Sequence, residues 1–294
     1  MVYWQAIVDG VLTGGVYALM AAGLTLTFGV MDVINVAQGV LVVLGAYLSY
    51  ELATKAGIDP FLGLLITIPV MFLLGYLVEA VLIRRLRQLT VFNFVVMAIL
   101  ATYAVSVILE GALDMVFGSK IIEIQASYVT TSFVVFGLHL PEIDVYGFLL
   151  AAGILALLYL LLYRTRWGRS VRASVQNRTA ATLVGIPVHK VSRVVFAIGV
   201  AVTAAGGMIF GATNAFNGDS GTDLISRLLT IVVLGGLGSM SGALVGAVAL
   251  LVVEDLVAVI WSPLWAPLVF AVVLAGVLLT RPNGLLGRSP GRAQ

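Results

Sequence analysis

The chain has 294 residues, 61% of them hydrophobic and only 10% charged, with a mean hydropathy of +1.12. Soluble domains carry about 25% charged residues, so this composition predicts a polytopic membrane protein, one domain over residues 1–294, with no nucleic-acid partner. The net charge of +2 says little, while the absence of cysteine excludes disulfides, thiol catalysis and cysteine-based metal sites.

The N-terminus, Met1-Val2-Tyr3-Trp4-Gln5, lacks a basic leader region and reads as a retained first span. Apolar stretches near the ~20 residues a membrane helix needs follow at 5–28, 34–52, 61–83, 91–113, 146–163, 194–213, 228–260 and 266–280. The fold expected is therefore all-α, with about eight hydrophobic segments. The seventh is too long for one crossing and is interrupted by Gly235-Gly236-Leu237-Gly238-Ser239-Met240-Ser241-Gly242.

The gaps sort the basic residues. Residues 164–193 hold seven of the sixteen Lys and Arg and no acid. Arg84, Arg85 and Arg87 form a second basic group, and Arg281, Arg288 and Arg292 a third. Lys55, Lys120 and Arg227 remain for the other side, with the acidic gap 114–144. Basic loops stay cytoplasmic, which predicts a cytoplasmic loop at 164–193, a cytoplasmic tail and an external N-terminus. Parity then requires the segment 228–260 to go in and come back, as two short helices or a re-entrant hairpin, with 214–223 external.

Glycine-rich breaks are expected at two places. Gly23 to Gly29, including Thr25, leads into Asp32, Asn35, Gln38 and Gly39, and the Gly235 to Gly242 run, including Gly238 and Ser239, leads into another Gly-spaced helix. Irregular backbone within a membrane is tolerated only when buried in protein or lining a water-filled cavity. In transporters, paired broken helices point to internal repeats around a pathway. Close helix packing is the simpler role for any single glycine. Three polar side chains in seven residues are costly in lipid, so Asp32, Asn35 and Gln38 favour a polar-lined break. These residues, with Gly235, Gly238, Ser239 and Gly242, form the candidate translocation path.

Within the basic island, 175–184 is expected to form one short helix with Ala180, Ala181 and Val184 on one face. Gly185 would end it, and Pro187 would block its continuation. Arg172, Gln176 and Arg178 supply a polar side, next to Asn177. The pattern alone leaves two readings open: a helix offered to a cytoplasmic partner, or a basic loop on anionic lipid headgroups.

The string YRTRWGRSVRASVQNRTAATLVGIPVHKVSRVVFAIGVAVTAAGGMIFG resembles the coupling region of permeases from branched-chain amino acid ABC importers of the LivH type. GLTLTFGVMDVINVAQGVLVVLGAYLSY resembles that family's N-terminal signature, and VVLGGLGSMSGALVGAVAL and RPNGLLG its C-terminal ones. The four motifs occur in order over 5–287. The resemblance implies an ABC-importer transmembrane domain in a prokaryotic plasma membrane (the inner membrane in a Gram-negative cell). It also implies two ATPase subunits that bind the ATP, a second and related permease subunit, and an extracytoplasmic solute-binding protein. The chain itself would hold no cofactor and perform no bond chemistry. It implies coupling to the ATPase through Arg172, Gln176, Asn177, Ala180, Ala181, Val184 and Gly185. Two positions depart from the family: Thr179 stands where an acid is usual, and Gln38-Gly39-Val40 where His-Gly-Glu is common. The second removes an ionisable group and a carboxylate, and superfamily relatives carry urea or short amides.

No ATP-binding loop is present, since Lys55, Lys120 and Lys190 are followed by Ala, Ile and Val rather than Ser or Thr. Neither G-x-S-x-G nor H-E-x-x-H occurs, and His139 and His189 read as solvated loop residues. Glu79 and Glu110 fall near interfaces and read as structural. Glu254-Asp255, within the broken segment, would be the groups to examine if the chain were instead a proton-coupled secondary transporter. A passive channel for a small neutral solute stands behind that.

Overall fold

The computed structural model describes residues 1–86, 90–135, 137–281 and 284–286. Helix α1 (Val2–Met31) is followed by α2 (Gln38–Ala56) and α3 (Pro60–Val78), which continues through a π turn (Glu79–Ile83) into the three-residue α4 (Arg84–Leu86). Then come α5 (Val91–Phe117), a hairpin of β1 (Ser132–Val135) and β2 (Leu138–Pro141), and α6 (Glu142–Arg164). The basic island carries α7 (Arg166–Gln176) and α8 (Arg178–Leu183). After it lie α9 (Val188–Thr213), α10 (Ser220–Gly235), α11 (Met240–Ile260) and α12 (Ala266–Thr280). Among the described residues seven helical stretches are long and apolar enough to cross a membrane, and α2 and α10 pack beside them. This is the all-α polytopic architecture expected, apart from the small hairpin.

Helices α1 and α9 form the core because small residues let their backbones approach. A Cβ on Gly23 would strike Gly199 O and Thr203 Oγ1, and one on Gly207 would land on Val42 O. Gly10 and Gly14 lie against the backbone of Val252 and Val248, which fixes α11 antiparallel to α1. Without a hydrophobic drive between helices in lipid, such close packing is the main source of association. Peripheral helices show the opposite pattern: Leu65 on α3, Ile108 on α5 and Leu157 on α6 are exposed, as lipid-facing side chains are.

The contacts separate two ends of the bundle. At one, the backbone N–H of His139 donates to Gln5 Oε1 (3.0 Å) and Tyr128 donates to Asp59 (3.0 Å), so the N-terminus, the α2–α3 turn and the 118–141 segment lie together. At the other, Gly29 faces Gly238, and Leu285 and Leu286 donate from their backbone N–H groups to Leu234 O and Gly235 O (2.8 and 3.1 Å). The island and the start of the tail thus share an end opposite the N-terminus, as parity required. Arg87, Arg288 and Arg292, and Pro282, Asn283 and Gly287 of the closing motif, lie outside the described residues.

Four expectations need correction. The run Gly23 to Gly29 is continuous helix, because its glycines serve close packing; the chain turns only after Met31, where Asp32 adopts the left-handed conformation (φ 55°). Helix α9 starts at Val188, six residues before the expected span, since Pro187 fits ahead of a first turn. Helix α10 starts at Ser220, so part of the expected 214–223 loop is helical. Arg227 is not a far-side surface charge but lies within α10, bonded to Glu254 of α11 at 2.8 and 3.1 Å and stacked over Phe270. The long seventh segment does divide into two helices, with Gly236 (φ 102°) and Gly238 (φ 80°) forming the turn.

Candidate coupling surface and polar helix breaks

The island is built as an anchor and a projecting tip. Helix α7 begins at Thr165, whose hydroxyl accepts from Gly168 N (3.0 Å), an N-cap bond. Gly168, Val171 and Ser174, three residues apart, turn into the bundle. Arg172 lies over the Tyr163 ring at 4.9 Å, so it belongs to this packing. The single helix expected over 175–184 is broken at Asn177, which is extended (φ −157°, ψ 106°) and caps α8 by accepting from Ala180 N (2.9 Å).

Helix α8 presents a different face from the one expected. Ala180 and Val184 are exposed, but Ala181 is 3% exposed and points into its own chain. Leu183 and Val184, 83% and 76% exposed, form the apolar tip. Gly185 stops the helix as expected, with φ 84°. Its N–H donates to Thr182 O (3.0 Å) and that of Ile186 to Ala181 O (3.0 Å), the paired bonds of a Schellman turn. Gln176 and Asn177 are exposed beside the tip.

Behind α8 is a cavity of about 630 Å³ bounded by Asp32, Phe94, Arg178, Thr182, Ile186 and His189. It joins the back of the tip to the end of α1 and the start of α5. Burial pushes the Asp32 carboxyl up, and the charge of Arg178 pulls it partly back down. Arg178 Nη2 also reaches Ser192 Oγ on α9 at 3.5 Å.

In the break between α1 and α2, Asp32 is exposed, while Asn35 and Ala37 beyond it, and Gln38 at the start of α2, are buried. Asn35 Nδ2 donates to Gln38 Oε1 (3.0 Å), Gln38 Nε2 donates to Thr203 Oγ1, and Thr203 Oγ1 donates to Gly199 O (2.8 Å). Thr102 accepts from Val36 N at 3.2 Å. Asn35 Oδ1 and Thr25 Oγ1 have no hydrogen-bond partner among the described residues. A Cβ on Gly39 would collide with Gly221 O, so the starts of α2 and α10 touch. The structure thus gathers Asn35, Gln38 and Gly39 into one patch with Thr203. Gly235, Gly238, Ser239 and Gly242 belong instead to the α10–α11 turn at the bundle end. There Ser239 caps α11 by accepting from Gly242 N (3.1 Å), and Gly235 packs on Gly242.

Sequence reasoning missed Thr203 and Thr102, because nothing local marks a threonine as the acceptor for a residue far along the chain. It also missed two ion pairs: Arg193 with Glu79 (2.9 Å), Arg193 donating to Tyr76 OH as well (3.1 Å), and Arg227 with Glu254. The rule that charges at membrane depth pair with one another was the available signal. Glu110 accepts from Ser106 at 3.1 Å. Among the described residues no group of three or more His, Asp or Glu is arranged to hold a metal ion.

Close-packed crossing helices and interrupted spans define a polytopic helical membrane protein. The chain belongs to the branched-chain amino acid transport system / permease component family, whose model matches residues 6–279. It is 27% identical over 302 residues to the high-affinity branched-chain amino acid transport system permease protein LivH of Salmonella typhimurium, covering 97% of this chain and 96% of the relative. BraD of Pseudomonas aeruginosa, of the same description, is 28% identical over 306 residues, with the same coverage. A probable LivH of Methanocaldococcus jannaschii is 27% identical over 297 residues, covering 96% and 92%. Among solved structures, PsaBC from Streptococcus pneumoniae in complex with Fab aligns with a TM-score of 0.47 and 14% identity, covering 94% of this chain and 91% of that one.

Proposed function

We propose that the chain is a permease subunit of an ATP-driven importer for branched-chain or other amino acids. It works with two ATPase subunits, which bind the ATP, a second related permease, and an extracytoplasmic binding protein that delivers the solute. It lies in the plasma membrane of a prokaryote, with the island in the cytoplasm. The observation that carries this reading is α8, which is shaped by its own caps and anchored through Ala181 while Leu183 and Val184 stand exposed as an apolar tip. A tip seated in an ATPase would pull on α9 through Arg178 and Ser192, and on the α1–α2 break through the wall shared with Asp32. Helices need only rock as near-rigid bodies to change access.

A proton relay would need a buried acid free to exchange its proton. Glu254 is bonded twice by Arg227 and Glu79 is paired with Arg193, which argues against these two as relay acids; Asp255, half-buried beside Glu254, is tested by uptake in Asp255→Asn. The test is reconstitution. The chain alone should neither hydrolyse ATP nor accumulate solute, whereas with ATPases, partner permease and binding protein, loaded binding protein should stimulate hydrolysis and uptake. Uphill uptake driven by a proton gradient without ATP overturns the proposal, and uptake of urea or a short amide in place of an amino acid changes its solute. Orientation is read from cysteines placed at Gln176 and Ser127, both exposed: an impermeant reagent should reach Ser127→Cys alone in intact cells. Ser174 is unsuitable for this, being buried.

A further inference from the structure

We infer that the exposed face of α10, formed by Asp219, Thr222, Asp223 and Ser226, is this subunit's wall of the aqueous solute path. The inference rests on the transport reading above and moves the path away from the buried Asn35–Gln38 patch.

The first observation is an internal repeat. Residues 28–39 read FGVMDVINVAQG and residues 210–221 read FGATNAFNGDSG. Phe28 matches Phe210, Gly29 matches Gly211, Asn35 matches Asn217 and Gly39 matches Gly221, with Asp32 opposite Asn214. Each copy ends a long helix, crosses a short break and opens the next helix. The break is closed by the same backbone turn both times, Gln38 N donating to Asn35 O (3.2 Å) and Ser220 N to Asn217 O (3.3 Å). The side-chain bonds differ: Asn35 Nδ2 donates to Gln38 Oε1, whereas Asn217 Oδ1 accepts from Ser220 N and Oγ (3.1 and 3.0 Å). The copies run in opposite senses, because α1 heads toward the island end and α9 away from it. They meet where Gly39 and Gly221 touch. Inverted repeats joined at their helix breaks place solute contacts near the midplane.

The second observation is depth. Gln38 bonds Thr203, ten residues before the end of α9, so the start of α2 lies about 15 Å inside that end at 1.5 Å per residue. Gly39 faces both Gly221 and Ile225, which puts Asp223, between them in sequence, at the same level. Part of the polarity that makes 214–223 read as a loop, that of Thr222 and Asp223, therefore lies on a helix at membrane depth.

The third observation is the difference between the copies. In α2 the positions matching Thr222, Asp223 and Ser226 are Val40, Leu41 and Leu44, the first two buried. In α10 all three are polar and exposed, as is Asp219. The fold of a repeat does not need polar groups there, since one copy does without them. Ser226 and Thr230 satisfy their hydroxyls within α10 by donating to Thr222 O and Ser226 O (3.0 and 2.9 Å). Carboxylates have no such refuge in hydrocarbon, so Asp219 and Asp223 require water beside them, and with it a polar solute.

The test uses the natural absence of cysteine. In the full transporter in membrane vesicles, Thr222→Cys and Ser226→Cys should react with the water-soluble ethylammonium methanethiosulfonate at least tenfold faster than Leu41→Cys or the exposed α5 residue Leu100→Cys. The rate should change on adding ATP. Equal, slow modification of all four cysteines overturns the inference. So does failure of the reagent combined with oxidative cross-linking of Thr222→Cys to the second permease, which would make the face a subunit contact. Asp223→Leu should lower uptake tenfold or more, while Asp223→Asn keeps assembly and reagent access. If Asp223→Leu raised thermal stability and left uptake intact, α10 would face lipid. Reagent access requires neither ATP nor a known solute, so this inference and the ATP-driven reading can fail separately.

Discussion

Helices α7 and α8 are neighbours in one basic island, yet they are held by different means. Helix α7 lies against the bundle through Gly168, Val171 and Ser174, and a Cβ on Gly168 would overlap the backbone of Leu161 and Leu162. Helix α8 is six residues long, buries only Ala181, and is shaped by Asn177 at one end and Gly185 at the other. A helix this short has no stability of its own. Its conformation comes from its caps, so it can present Leu183 and Val184 to another protein without packing on its own chain. Under the proposed coupling role, the contrast separates a part that would transmit force from a part that would receive it.

The largest effect expected from this contrast is at the tip. Leu183→Asp combined with Val184→Asp should weaken ATPase attachment by ~2 kcal/mol or more, the scale of a central interface anchor, and abolish uptake. Melting of the isolated subunit should not change, because neither side chain packs within it. A pull-down and a melting curve on the same sample separate the two roles. Unchanged attachment would return the island to a basic surface on headgroups.

Ala181→Trp probes the inner side of the same helix. Ala181 is buried in its own chain, so the added rings must overpack the turn, at ~1–3 kcal/mol. Both melting temperature and ATPase attachment should therefore fall, unlike the tip variant. Gly168→Val should lower melting temperature by a similar amount, while direct contact with the ATPase survives in whatever fraction remains folded. Gly185→Val comes next. A β-branched residue at φ 84° costs ~1–2 kcal/mol, and the loss should appear as weaker stimulation of hydrolysis by loaded binding protein.

How far the sequence reveals these features depends on their range. The helix stop at Gly185 was legible because glycine followed by Pro187 is a local signal. So was the division of the seventh segment, where Gly236 and Gly238 supply positive φ. The inward turn of Ala181 was not, since a one-residue change in where Asn177 breaks the helix rotates every later side chain. Glycines in α1 were read as breaking residues, when Gly23 is there so that Gly199 can approach. That distinction depends on a helix far away in the chain. By polarity Asp223 reads as part of an external gap and Arg227 as a far-side charge, and the contacts of Gly221 with Val40 and of Arg227 with Glu254 show that this stretch is inside.

The smallest effect expected is at the joint between α8 and α9. Ser192 is fully buried, and its hydroxyl donates to Val188 O (2.9 Å) while accepting the long 3.5 Å contact from Arg178. Ser192→Ala removes both, but Val188 O lies in the first turn of α9, and alanine fits the space the serine leaves. The loss should stay near the low end of a single hydrogen bond, ~0.5 kcal/mol, with uptake close to normal. Arg178→Ala, by contrast, also removes the charge facing Asp32 and one wall of the cavity, so it should uncouple hydrolysis from uptake more than Ser192→Ala does. Measured together, the two variants test which link carries the pull. Equal losses would place the linkage in the Arg178–Ser192 contact, and a loss confined to Arg178→Ala would place it in the path through Asp32 to the end of α1.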